Sequence, residues 1–116
     1  QLKDDLFDVL GKVDDIGKPS NLDLKRNMLT LPYIHVINSI DKSNKIKIVN
    51  KLKYHSRRSE RKEIKKIVTN NGGIEYTDNK IKEYTDKAIN ELKIFKNSKY
   101  KDILMNLLEF NILRKY

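Results

Sequence analysis

Apolar residues recur at three- and four-residue spacing almost from the first position of this chain. Leu2, Leu6, Val9 and Leu10 form a helical stripe, and Asp4, Asp5 and Asp8 fall off it. Gly11 ends this helix, or Gly17 and Pro19 end a frayed extension of it. Residues 12–27 then read as a polar loop with room for a turn of helix. In "LTLPYIHVINSI", Thr30 stands where a cap belongs. Pro32 fits a first turn, where its missing N–H costs nothing. Ile34, Val36, Ile37 and Ile40 are expected to be largely buried. A short helix over about 43–53 carries Ile46, Ile48, Val49 and Leu52. "SRRS" separates it from "ERKEIKKIVTNN", whose apolar side is Ile64, Ile67 and Val68. Asn71-Gly72-Gly73 is a strong stop, because glycine accepts the left-handed conformation that closes a helix. A long helix is expected from Ile74, with Ile74, Thr77, Ile81, Tyr84, Ala88, Leu92 and Phe95 on its buried line. Asn97 or Ser98 caps a last helix, with Ile103, Leu104, Leu107, Leu108 and Ile112 inward. No segment sustains the two-residue period of a strand, so the expected fold class is all-α. No internal repeat or domain boundary is visible, and the weakest stretch is the polar run Lys53–Arg58.

Composition narrows this picture. Hydrophobic residues make up 38% of the 116 and charged residues 35%. Each helix should therefore pair one apolar face with one heavily solvated face, around a modest core. The absence of cysteine excludes disulfides, zinc ribbons and a thiol nucleophile. No apolar run approaches the ~20 residues of a membrane span, and no signal-peptide pattern is present, so a cytoplasmic setting is expected. The net charge of +9 is mostly lysine, densest in "KLKYHSRRSERKEIKK". Such a run suits nucleic acid or anionic lipid, and equally describes a solvated helix face. It has no interleaved aromatics or glycine-rich signature, and no nucleic-acid partner is expected.

Three aspartates in two turns are the strongest chemical feature. On a helix Asp4 and Asp8 share a face, with Asp5 beside them. Like charges so placed cost roughly 0.2–0.5 kcal/mol per pair. Solvent offsets that cost, as does a helix N-terminus, and a divalent cation offsets more. Magnesium prefers oxygen ligands and usually takes one or two carboxylates plus phosphate oxygens. Asp4, Asp5 and Asp8 thus suit half of a magnesium site completed by a diphosphate, and Lys18 suits the same diphosphate as a point charge. The aspartate spacing alone is also ordinary on a solvated helix face.

The neighbouring residues sharpen the reading. "QLKDDLFD", then "IGKP", then "DLKRNMLTLP" resembles the second aspartate-rich region of the trans-isoprenyl (polyprenyl) diphosphate synthases. The resemblance runs on through "GGIEYTDNKIKEYTDKAINEL" to "LRKY", and so covers residues 1–116 as the C-terminal part of a polyprenyl synthetase domain. It implies the helices of the all-α isoprenoid (terpenoid) synthase fold. It also implies a magnesium-dependent prenyltransferase that condenses isopentenyl diphosphate with an allylic diphosphate, typically as a dimer. By the same resemblance, Asp4, Asp5 and Asp8 are the metal-binding carboxylates, with Asp4 foremost. Gln1 lies near the allylic substrate, Lys18 contacts the allylic diphosphate, and Arg114 and Lys115 approach the isopentenyl diphosphate side. Relatives commonly carry a lysine where this chain has Met28; Lys25 and Arg26 are the nearest cations. The first aspartate-rich motif has no counterpart here, so the 116 residues are expected to be a fragment that is inactive alone.

Other residues carry blander expectations. His35 reads as a packed core histidine, since no metal-ligand spacing surrounds it. His55 sits in the basic run and is expected in solvent, as are Asp14 and Asp15 in the loop. Tyr76 and Tyr84 are expected to pack with their hydroxyls at the rim. Two other classes remain beside the prenyltransferase. A nucleic-acid module would bind through Arg57, Arg58, Arg61 and Lys62 with strong salt dependence. A structural remnant would expose an apolar face and oligomerise without ligand.

Overall fold

The computed structural model describes residues 1–10, 22–26, 28–53 and 57–114. Among these, seven helices follow one another: α1 (Leu2–Leu10), α2 (Leu22–Lys25), α3 (Leu31–Ser39), α4 (Lys42–Lys53), α5 (Arg58–Asn70), α6 (Gly73–Leu92) and α7 (Lys99–Leu113). No strand occurs among the described residues, as the period-of-four pattern predicts. The chain forms two compact units, Gln1–Thr77 and Asp78–Lys115. The sequence offers no sign of this division, because it falls inside the continuous pattern of α6.

In the first unit α3 is central and contacts α1, α4 and α5. Its apolar positions Val36 and Ile37 join Tyr33 in one core with Val9, Leu24, Ile48, Leu52, Ile64 and Val68. Complete burial of such a side chain contributes about 1.5–3 kcal/mol, so this cluster is the main source of the unit's stability. One expectation for it fails: Ile34 is exposed, rotated round the helix from the core-facing line of Tyr33, Val36 and Ile37, and Ile46 on α4 is exposed as well. On α1, Lys3 and Phe7 are buried beside the stripe of Leu6 and Val9, with the Lys3 ammonium 6.0 Å from the Phe7 ring centre.

Local chemistry fixes where the helices start and stop. α3 begins after Thr30 with Pro32 in its first turn, as expected. The Thr30 hydroxyl, however, is buried and makes no hydrogen bond. Asp41 instead of a distant residue starts α4: its carboxylate accepts the Asn44 backbone N–H at 3.0 Å and the Asn44 side-chain amide at 2.6 Å. α5 starts earlier than "SRRS" suggests, because the Glu60 carboxylate reaches back to accept the Arg57 N–H at 2.6 Å. At the α5–α6 turn Gly72 has φ +78°, the left-handed value its position requires. Gly73 meets a different demand. A Cβ there would lie 2.7 Å from Val68 Cγ1 and 2.8 Å from the Pro32 carbonyl oxygen. His35 stacks on Tyr76, rings parallel within 5° and 3.8 Å apart, so it packs as the sequence suggests.

In the second unit α6 is braced by Glu83, whose carboxylate accepts from Lys80 at 2.6 Å and Lys87 at 2.7 Å. Ser98 caps α7 by accepting the Lys101 N–H at 3.3 Å. The expected buried lines are corrected here. Thr85, not Tyr84, is buried on α6, and Phe95 is exposed beyond the helix end. α7 has no buried residue, and Ile103, Leu104 and Leu107 face solvent. Periodicity identifies an apolar face; it does not say whether another element covers it.

Candidate active site

Gln1, Asp4, Asp5 and Asp8 are brought together at the start of the chain, the aspartates by α1. The Gln1 carbonyl accepts the Asp5 N–H at 2.9 Å, so the helical ladder begins at the first residue. Lys18 and Lys115 lie outside the described residues. Arg114 is exposed and belongs to the second unit. Met28, where relatives commonly carry lysine, is 53% exposed.

The three carboxylates occupy three environments. Asp4 is exposed. Asp5 is half-buried and accepts the Leu31 backbone N–H, which places an acidic cap from α1 on the N-terminus of α3. Burial pushes the Asp5 carboxyl above the usual range, Asp23 and Asp4 add to that, and the Leu31 hydrogen bond opposes it. The capping role expected of the Thr30 side chain is thus taken by Asp5. Asp8 Oδ2 accepts the Asp23 N–H of α2 at 3.3 Å.

Three residues that sequence reasoning passes over are tied to Asp8, Asp23 by a hydrogen bond and Tyr33 and Lys65 by its charge. Asp23 comes from α2. Tyr33 comes from α3, fully buried, its phenol raised by burial and then by the charges of Asp8 and Asp23. Lys65 comes from α5; burial lowers its ammonium and the Asp8 charge opposes that. These relations cross 15 to 57 positions of chain, and nothing in a local pattern reports them. Lys65 also shows that the basic run is not uniformly solvated, as does Lys51, which pairs with Glu63.

Among the described residues no group of three or more His, Cys, Asp or Glu side chains is arranged to hold a metal ion. An all-oxygen set with one exposed carboxylate fits a cation that keeps waters and takes substrate oxygens. It does not fit a caged structural metal. The Polyprenyl synthetase family model matches residues 1–70, a span that contains α1 and the whole aspartate cluster. The chain belongs to the polyprenyl synthetase family.

Relatives agree with this assignment over almost all of the chain. Octaprenyl diphosphate synthase of Haemophilus influenzae is 28% identical over 116 residues, which is 100% of this chain and 35% of that protein. Decaprenyl-diphosphate synthase of Dictyostelium discoideum is 30% identical over 98% of this chain and 24% of its own length. Geranylgeranyl pyrophosphate synthase from Bacteroides thetaiotaomicron, a crystal structure, superposes with a TM-score of 0.85 at 30% identity, over 98% of this chain and 37% of its own. The all-α isoprenoid-synthase architecture is therefore common to both. The chain spans about a third or less of the length of these curated relatives.

Proposed function

We propose that this chain supplies the second aspartate-rich half of a trans-polyprenyl diphosphate synthase, acting within a larger, typically dimeric enzyme of the cytoplasm. The observation that carries this reading is the family match over residues 1–70, which includes the exposed Asp4 at the head of the aspartate cluster. In this reading the substrates are an allylic diphosphate and isopentenyl diphosphate, and residues 1–116 are the C-terminal part of one synthase domain.

The carboxylates of the Asp4, Asp5 and Asp8 motif would hold magnesium for the allylic diphosphate, Asp4 foremost because it is the exposed one. Magnesium, when bound, offsets the charge that develops on the leaving diphosphate. Lys18 meets the same diphosphate as a point charge, and Gln1 lies against the allylic group. Arg114 and Lys115 approach isopentenyl diphosphate. None of these residues acts as a nucleophile, since the attacking electrons come from the isopentenyl double bond, and the carbocation this leaves loses a proton from its neighbouring CH2 group to form the new double bond. The 116 residues alone lack the other half of the acidic cage and are inactive.

The test is elongation of geranyl diphosphate with isopentenyl diphosphate by the enzyme that carries this sequence. Asp4→Asn is expected to lower kcat by roughly 10²- to 10³-fold, the scale of one lost preorganised electrostatic contact. Unchanged turnover in Asp4→Asn contradicts the assignment of Asp4. Magnesium-dependent elongation by the isolated 116 residues contradicts their inactivity.

A further inference from the structure

The fold sorts the cations of the basic run. Lys51 of α4 pairs with Glu63 of α5 and ties these two helices side by side. Glu60 turns back to accept the Arg57 N–H. Both acids of α5 are thereby engaged, and α4 contains none. The remaining cations lie outward. On α5, Arg58, Lys62 and Lys66 stand at four-residue intervals and are all exposed, while Ile64 and Val68 take the buried side. On α4, Lys42 lies one turn before Ile46 and Lys47 lies next to it, both lysines exposed. Ile46 itself is 50% exposed, although Ile48 and Leu52 of the same helix are buried. The outer surface of the pair is therefore five cations around one exposed isoleucine. Such a face stays at the surface of a larger enzyme too, because burying charges that no acid pairs is costly. A single exposed isoleucine means little alone. Among cations it completes what an anionic bilayer takes up: charge for the headgroups and an apolar side chain for the acyl boundary.

We propose that the outer face of α4 and α5, built from Lys42, Ile46, Lys47, Arg58, Lys62 and Lys66, docks this protein on an anionic lipid surface. The purpose of docking rests on the prenyltransferase reading given above. A polyprenyl diphosphate carries a long hydrocarbon tail that water rejects, and a bilayer beside the enzyme receives it. Nucleic acid suits this face less well. Neither helix carries an aromatic residue on which a base could stack, and Ile46 has no counterpart on a phosphate backbone.

The experiment is cosedimentation of the 116-residue chain with phosphatidylcholine vesicles, with and without phosphatidylserine, each variant first shown to be helical by circular dichroism. Binding is expected only with phosphatidylserine, and is expected to weaken as salt is raised. The combined variant Arg58→Gln, Lys62→Gln, Lys66→Gln is expected to lose on the order of 10²-fold in partition, about fivefold per charge. Ile46→Ser keeps every charge and is expected to lose roughly threefold or more. Lys82→Gln, Lys93→Gln, Lys96→Gln removes as much charge from the second unit and is expected to lose far less. An equal loss in the two triple variants means that net charge alone acts, and overturns the face. Absence of binding to phosphatidylserine vesicles, or unchanged partition in Ile46→Ser, overturns the proposal as well. Retention on duplex DNA at a salt concentration that releases the chain from vesicles makes the partner a nucleic acid and does the same. If the α5 triple variant does not fold, Ile46→Ser and the salt series still decide. Vesicle binding is read without turnover, so failure of the prenyltransferase reading removes the purpose of docking and leaves these results standing.

Discussion

Asp5 combines two roles that pull its carboxyl in opposite directions: burial raises it, and the Leu31 N–H it accepts lowers it, with burial the larger. Its folded-state pKa is therefore above the ordinary aspartate value of 3.8. A raised carboxyl binds its proton more tightly in the folded state, so its ionisation costs stability as pH rises through that folded value. Asp5→Asn keeps an acceptor for Leu31 and removes the buried charge. In thermal melts without magnesium, Asp5→Asn is expected to raise Tm at pH 7, and the gain is expected to vanish at pH 3. An equal loss at both pH values would mean that the carboxylate is needed as a charge. Core positions behave differently. Ile64 is 0% exposed, and Ile64→Ala is expected to cost about 2–5 kcal/mol in denaturant unfolding at any moderate pH. Much at this scale is legible beforehand. The buried Ile64, Val68 and Ile48 follow from spacing, and His35 is rightly placed as a packing residue. The ties of Asp23, Tyr33 and Lys65 to Asp8 are not legible, because they are tertiary. Thr30 does hold the cap position, but its hydroxyl makes no hydrogen bond, and the Leu31 N–H is met from a different helix, by Asp5.

Helices are the most readable scale and their faces the least. The stop at residues 71–73 illustrates both sides. Asn-Gly-Gly announces the turn, and Gly72 at φ +78° bears it out. No sequence pattern states that Gly73 must stay small because Val68 and Pro32 press on it. Gly73→Ala is expected to destabilise by about 1–3 kcal/mol through overpacking. Gly72→Ala is expected to cost about 1–2 kcal/mol through its left-handed backbone, although nothing crowds its Cβ. Chemical denaturation of both variants checks this, and a neutral Gly73→Ala would contradict the close approach. On α6, hydrogen bonds and charge from Lys80 and Lys87 hold Glu83 down at about 2. A depressed carboxyl contributes stability above its unfolded value of 4.5 and loses it as pH falls toward about 2. The group is exposed and screened by salt. The expected effect is therefore a small loss of helix signal between pH 4.5 and 2, reduced by salt and absent in Glu83→Gln, followed by circular dichroism. α7 is the element where the pattern misleads. Its leucines and isoleucines keep helical spacing, yet Leu107 is 57% exposed. Leu107→Ser is accordingly expected to change stability by less than about 0.5 kcal/mol.

At the scale of the molecule, the all-α architecture and its family follow from short motifs whose order is more informative than any one of them. Asp4, Asp5 and Asp8 alone describe any acidic helix face. Joined to the "TLP" segment they describe a family, and the match over residues 1–70 agrees. The division into two units is not written in the sequence, since α6 runs through it without a break in its period. Net charge is equally uninformative about function, because Lys51 and Lys65 turn toward carboxylates of the fold. The most direct test of the central claim is calorimetric binding of geranyl diphosphate to the folded chain, with and without magnesium, and with Asp4→Asn alongside. The account predicts heat that requires magnesium and disappears in Asp4→Asn. Heat that is independent of magnesium and unchanged in Asp4→Asn would contradict it.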